Sequence, residues 1–360
     1  MFTKNVTNLQ DGFLTSLKEV MDTGGVVTVR DQETREIRTV VLEVENPRER
    51  IICVPYRNNN VFAMIAETLW VLGGRNDIAY LSKFLPRAID FSDDGEVWRA
   101  GYGPRIRSYK GVYTQNVDQV RECARMLYDD PTTRRAVISI FNPDEDFIRK
   151  TLDVPCNNWL HFLVRDGYLN ATIAVRSNDV VWGMSAINMF EWSVLMELMA
   201  VSTDNKVGKM NYLADSCHVY EKHYNRAHKI INYALSKEFV DMYTLGFSSI
   251  PMSVTGLGSW DDQNKRLLYA IDNNMLTENY IMQHVFDPFL VECANMLMLW
   301  HEISTKSSEI PDFVNKLTIG GDFRLAALEY LMRQEFWKEI VGDIHIIAEE
   351  QKFLSQFPTD

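Results

Sequence analysis

The stretch "DVPCNNWLHFLVRDGYLNATIAVRSND" (residues 153–179) holds two runs rich in β-branched and aromatic residues, Trp159 to Val164 and Tyr168 to Val175, separated by Asp166 and Gly167. Asp-Gly between such runs is the strongest short signal for a two-residue hairpin turn. With that loop, Arg165 faces Tyr168, and the register carried back pairs Cys156 with Ser177 and sets Arg176 beside it. A bulge would slip the pairing by one residue and still leave the thiol close to a fixed positive charge. A neighbouring cation favours the thiolate, the nucleophilic form of cysteine. The competing reading is that Cys156 is a small core hydrophobe, as most unpaired cysteines are.

The rest of the chain bounds the possibilities. Its 360 residues, 46% hydrophobic and 24% charged, suffice for one large domain or two ordinary ones with a sizeable core. A formal charge of −12 argues against a nucleic-acid-binding surface, although a local arginine cluster can still hold a small anion. The five cysteines are scattered and odd in number, and no signal-peptide pattern opens the chain, so reduced thiols of a cytoplasmic protein are expected. No apolar run is long enough to span a membrane. No CxxC pair or HExxH helix points to a metal. "NPDEDF" (142–147) lacks the glycine and distal glutamate of a calcium loop and reads as an exposed turn.

Several segments can be placed. Residues 8–22 read as a helix and 25–56 as strands with turns. "NNNVFAMIAETLWVLGGRND" (58–77) is a helix that Asn60 can cap and Gly73-Gly74 can stop. Its interior is apolar all round, which means burial, and one charge interrupts it: Glu67. A carboxylate there must pair with a buried arginine or stay neutral with a raised pKa, poised for acid–base work. A helix over 116–130 precedes "DPTTRRAVISIFN" (130–142). Arg134 and Arg135, adjacent on a strand, would point to opposite faces, so both reach one anion only from the turn before it; an exposed solvated pair is the plainer reading. In "WGMSAINMFEWSVLMELMA" (182–200), Ser185 is a plausible cap of a long apolar helix. "DSCHVYEKHYNRAHKII" (215–231) sets His218 and Tyr220 on one strand face. Beyond about residue 236 a loop leads to helical segments over 260–305 and 322–352, with no chemistry evident.

These pieces resemble the folate-dependent thymidylate synthases and their pyrimidine hydroxymethylase relatives. "AETLWVLGGRNDIAYL", "GYGPRIRSY", "DDPTTRRAVIS", "VPCNNW", "VRSNDVVWG", the Asn188 helix start and "DSCHVYEKH" occur in the family's order, over residues 15–230. The resemblance implies an α+β, thymidylate-synthase-like fold, a mixed β-sheet packed with helices. It implies a catalytic core at 1–235 and a mainly helical extension, 236–360, packed on it. It implies Cys156 as the nucleophile adding to carbon 6 of a pyrimidine deoxynucleoside monophosphate, with 5,10-methylenetetrahydrofolate as cosubstrate, no metal, and a homodimer with shared active sites. Arg176 would lower the thiol pKa and contact phosphate, Ser177 would contact phosphate, and Arg134 and Arg135 would reach it from the second subunit. Arg35 is the chosen N-terminal member of that clamp, with Arg30 as the other candidate. His218 and Tyr220 would hold the sugar 3′-hydroxyl, Asp179 the pterin, and Tyr102 would sit near the thiol. Glu67 would shuttle the proton at oxygen 4, and Asn188 would read the base. Asn188, however, falls one residue later after Gly183 than in the synthases.

Departures from the synthase pattern decide the expected product. Asn157 follows the nucleophile where synthases carry histidine, Val175 stands where they carry glutamine, and "PRAIDF" (86–91) replaces the cofactor-site tryptophan. The short apolar tail that seals synthases is not expected either, the chain ending "FLSQFPTD". Each loss loosens a dry hydride-transfer site. The expectation is therefore water capture, giving 5-hydroxymethyl-dUMP. A dCMP hydroxymethylase, a thymidylate synthase making dTMP, and a non-catalytic nucleotide-binding dimer remain as alternatives.

Overall fold

The computed structural model describes residues 1–111, 115–148, 150–151, 153–236 and 239–358. One seven-stranded sheet organises it: β1 (Phe2–Val6), β2 (Gly25–Val29), β3 (Gln32–Val44), β4 (Val137–Ser139), β5 (Asn157–Arg165), β6 (Tyr168–Asp179) and β7 (Lys206–Tyr220). Their order is β1-β3-β7-β6-β5-β4, with β2 also on β3. β1 runs parallel to β3 and β6 parallel to β7, while the other pairs are antiparallel, so the sheet is mixed as expected.

The hairpin forms where the Asp-Gly signal places it. Arg165 pairs with Tyr168, and Asp166 and Gly167 both take positive φ, 54° and 77°, as this turn requires. Near the open end a bulge between Asn157 and Trp159 slips the register by one. Cys156 therefore lies against Arg176, whose amide donates to its carbonyl at 2.9 Å, and not against Ser177.

Three helices, Leu9–Thr23, Gln119–Asp129 and Met189–Ser202, pack on the sheet. Outside them lies the Val61–Leu72 helix, capped by Asn60 through the Ala63 amide and buried at all twelve positions. It is buried because the C-terminal helices cover its other side: Phe62 packs on Trp300 at 5.4 Å and on Tyr330 at 5.2 Å. Glu197 of the Met189–Ser202 helix is buried against Arg50 and accepts from the Met252 amide at 3.1 Å, which stitches the extension to the sheet side. A single apolar core runs from Val6 to Phe357, so the helices beyond residue 236 form part of the same body as the sheet.

Three local expectations are corrected. The strand region after Gly25 ends at Val44, and residues 45–60 are irregular apart from short turns. Ser185 is no cap: it lies inside a π-helical run, Val180–Asn188, that continues into the Met189–Ser202 helix. "NPDEDF" holds a short helix, Pro143–Asp146, whose Asp146 is buried between Arg105, at 2.7 Å, and Arg99, at 3.3 Å.

Candidate active site

The open ends of β5, β6 and β7 converge with the β2–β3 turn, and this is where the sequence-selected residues collect. Of the five thiols, Cys53, Cys123, Cys217 and Cys293 are buried and only Cys156 is partly accessible. The Arg176 side chain is locked by the backbone preceding the thiol: Nε donates to the Pro155 carbonyl at 3.0 Å and Nη2 to that of Val154 at 2.9 Å. Nη2 then stands 3.8 Å from Cys156 Sγ. In the free protein burial nevertheless pushes the thiol above its ordinary pKa, outweighing the opposing pull of Arg176 and, more weakly, Arg30. The expectation of a ready-made thiolate is corrected accordingly: the cation is in place, but desolvation wins.

The Arg30–Asp31 turn and the strand beside it decide between the two N-terminal arginines. Arg35 is turned inward, donating to the Met21 carbonyl at 2.5 Å and lying 5.8 Å from the Tyr224 ring centre. Arg30 is exposed on the turn, and its charge is felt by both Cys156 and Tyr220. Of the two, Arg30 is thus the one left free at this end of the sheet. The sequence could not separate them because the turn is set by the pairing of β2 with β3 and the strand's place by its pairing with β7.

Parallel pairing of β6 with β7 brings Ser177 opposite Ser216 and Asp179 opposite His218. His218 and Tyr220 share one face with ring centres 5.1 Å apart, and Nδ1 of His218 lies 3.4 Å from Ser216 Oγ. Asp179 Oδ1 accepts from the Val181 amide at 2.9 Å. Arg134 and Arg135 sit in the turn before β4, both exposed, and neither makes a side-chain hydrogen bond to a described residue. They do not join the other candidates within this one chain.

Glu67 lies deeper. No arginine accompanies it, and burial alone lifts its carboxyl to about 8. Of the two readings of this residue, the neutral acid is the one the fold supports. Tyr102 begins the Tyr102–Arg107 helix and packs, tilted, on Trp192 at 5.6 Å between ring centres; burial, chiefly, and then the Cys156 charge raise its pKa. Asn157 itself is fully buried: Oδ1 accepts from Trp192 Nε1 at 3.0 Å, while Nδ2 has no partner.

Asn188 ends the π-helical run, 3.6 Å from the position a Gly183 side chain would occupy. Its side chain makes no hydrogen bond to a described residue. A π turn holds one more residue than an α turn, so Gly183 and Asn188, five residues apart, are brought close on this run. Arg57, buried, holds this run by donating to the Val181 carbonyl at 2.6 Å and Ser185 Oγ at 3.1 Å. Neither Arg57 nor Glu191, three residues beyond Asn188, was singled out from the sequence. For Glu191 the signal was present: like Glu67, it is a carboxylate within an apolar helix.

The thymidylate synthase family model matches residues 11–246. A deoxyuridylate hydroxymethyltransferase of Bacillus phage SP01 is 37% identical over 214 residues, 58% of this chain and 56% of the relative. One of Pseudomonas phage M6 is 29% identical over 299 residues, 80% of this chain and 81% of the relative. A thymidylate synthase of Vesicomyosocius okutanii is 28% identical over 165 residues, 46% and 61% of the two chains. The chain thus spans little more than half the length of the first of these relatives. The longer match cannot fit within residues 1–246 and so reaches into the C-terminal helices.

Proposed function

The chain belongs to the thymidylate synthase family, and on that footing we propose that it transfers a one-carbon unit to carbon 5 of dUMP and lets water complete the product, 5-hydroxymethyl-dUMP. The observation that carries this reading is the placement of Cys156 Sγ 3.8 Å from the backbone-locked Arg176; the buried, unpaired Glu67 is linked to it through Glu191 and Tyr102. The thiolate adds to carbon 6 of the pyrimidine, and the electrons moved to oxygen 4 make carbon 5 nucleophilic. The neutral Glu67 carboxyl supplies the proton that oxygen 4 then requires. Methylenetetrahydrofolate supplies the one-carbon unit.

The remaining residues take binding roles. Arg30, Arg176 and Ser177 receive the phosphate, joined by Arg134 and Arg135 from a second copy. His218 and Tyr220 hold the sugar 3′-hydroxyl, and Tyr102 supports the thiol's surroundings. Asn188 faces the base with one donor and one acceptor, as uracil needs. Asp179 suits a pterin: Oδ1 is spent on Val181, no described residue donates to Oδ2, and a carboxylate oxygen matches the ring's paired N–H groups. A homodimer is supported by the sheet face away from the helices, where Val137 is 44% and Trp159 38% exposed. We place the reaction in the cytoplasm; no helix among the described residues is long and apolar enough to cross a membrane.

Water capture over hydride transfer is supported by the names of the phage relatives and by Asn157, whose buried Nδ2 has no partner among the described residues and is suited to a water. The test is incubation of the protein with methylenetetrahydrofolate and, separately, dUMP, dCMP, UMP and CMP, with mass spectrometry of the nucleotide and absorbance for dihydrofolate. The expected product is hydroxymethylated dUMP with no dihydrofolate. dTMP with dihydrofolate would make this a synthase, hydroxymethyl-dCMP would move the base specificity, and no product from any nucleotide would leave a binding protein.

The phosphate clamp gives a sharper check. Arg30→Ala is expected to raise KM for dUMP by about tenfold or more, the loss of one charge-assisted contact. Arg35→Ala should leave KM within about threefold, because that guanidinium is committed to Met21. Steady-state kinetics with the opposite ranking would return the role to Arg35.

A further inference from the structure

Glu191, like Glu67, is an interior carboxyl that no described residue satisfies, and both of its oxygens are shut off from solvent. It sits in the first turn of the Met189–Ser202 helix, fully buried, with neither Oε1 nor Oε2 hydrogen-bonded. Three other deeply buried carboxylates have partners. Glu197 meets Arg50, Asp146 meets Arg105, and Glu350 meets Arg324. A buried carboxyl without a partner costs several kcal/mol unless it is neutral or bound to water, so its presence needs a reason.

Its surroundings supply one. Asn188 and Glu191 are three residues apart and lie one above the other on the same helix face. The same helix packs on the Val61–Leu72 helix that carries Glu67, and Glu67 and Glu191 feel each other's charge. The Tyr102 and Tyr212 hydroxyls sense both Cys156 and Glu191. Trp192, next to Glu191, holds Asn157, next to Cys156, by the Nε1 to Oδ1 bond of 3.0 Å. The Tyr102 hydroxyl, which senses Cys156, Asn157 and Glu191 alike, ties the unsatisfied Asn157 Nδ2 and the two unsatisfied Glu191 oxygens to one region of the interior. A donor and two acceptors of this kind form a cradle for a water molecule.

We propose that Glu191, with Asn157 Nδ2, positions the water that completes the reaction and takes its proton. This rests on the reading of the protein as a hydroxymethylase. After the folate product has left, carbon 5 bears an exocyclic methylene and carbon 6 is still bonded to Cys156. The water oxygen bonds to the methylene carbon, the methylene double bond breaks, and its electron pair passes to oxygen 4. Glu191, which burial and the Glu67 charge hold neutral in the free protein, has by then given its own proton to the departing folate nitrogen, so the water's proton goes to its carboxylate and restores the acid. The pair at oxygen 4 then returns, the ring double bond between carbons 5 and 6 forms, and the carbon–sulfur bond breaks. The thiolate so released is reprotonated from solvent. Glu67 serves oxygen 4 and Glu191 serves the water: two carboxyls that resist joint ionisation, each with its own half of the chemistry.

The test separates the two halves in single turnovers with enzyme in excess. Release of tritium from carbon 5 of labelled dUMP reports one-carbon transfer, and mass spectrometry reports hydroxymethyl product. In the wild type the two rates are expected to agree. In Glu191→Gln tritium release should stay within about threefold of wild type, while hydroxymethyl formation falls at least tenfold behind it, in keeping with loss of a general base. A nucleotide adduct on Cys156 should accumulate meanwhile. Because the readout is a ratio, partial misfolding does not affect it. Product formation that keeps pace with release in Glu191→Gln, or parallel loss of both there and in Glu191→Ala, would overturn the proposal and leave Glu191 a structural residue. A wild type that makes no hydroxymethyl product would instead overturn the functional reading itself.

Discussion

Cys156→Ser is expected to lower product formation by about 10⁴-fold or more while leaving nucleotide binding within a few-fold of wild type. The reason is chemical and local. Serine keeps the size and polarity of the side chain, but its hydroxyl is far less acidic than a thiol, and a single cation 3.8 Å away cannot ionise it. The phosphate clamp and the sugar contacts do not pass through the sulfur, so binding survives. Exchange of the carbon-5 proton should be lost along with product, because exchange needs the bond to carbon 6. Exchange at the wild-type rate in this variant would remove Cys156 from the mechanism.

Glu67→Gln is expected to cost about 10²- to 10⁴-fold in kcat/KM, the usual weight of a general acid, and to change the shape of the pH profile. In the free protein Glu67 titrates near 8 and burial holds Cys156 above its ordinary range. The reactive form, thiolate with neutral carboxyl, has lost one of the pair's two protons. Activity therefore rises as the first proton leaves and falls as the second does, and these are properties of the pair. Glutamine has no proton to lose, so the fall at high pH should vanish. Stability moves in step. A carboxyl raised to about 8 contributes fully below its ordinary range near 4.5, and that contribution is lost as the pH rises through 8. Denaturant titrations should find the glutamine variant gaining on the wild type between those pH values. A high-pH fall retained in the variant would assign the acid elsewhere.

How far the sequence carried the account depends on which interactions set each feature. The hairpin was legible because Asp166-Gly167 encodes its turn locally, and Glu67 because a lone charge in an apolar helix stands out. Tertiary packing decided the rest. The bulge beside Asn157 moved Cys156 opposite Arg176, a one-residue slip that no local signal marks. The choice between Arg30 and Arg35 depended on how β3 pairs with β2 and β7. The π-helical run at Val180–Asn188 is held by Arg57 from a distant loop, so Ser185 was misread as a cap. Glu191 was passed over because methionine and aromatic neighbours made its helix read as plain core. The C-terminal helices gave no chemical signal, and their packing was not legible either: they bury the outer side of the helix that carries Glu67.

The central claim, a covalent bond between Cys156 and carbon 6 of a pyrimidine deoxynucleotide, is tested most directly with 5-fluoro-dUMP and methylenetetrahydrofolate. Fluorine cannot leave carbon 5 as a proton does, so the adduct should persist. Intact-protein and peptide mass spectrometry should then find the mass of nucleotide plus folate on the peptide containing Cys156 and on no other. An unmodified protein, or the added mass on a different peptide, would contradict the account.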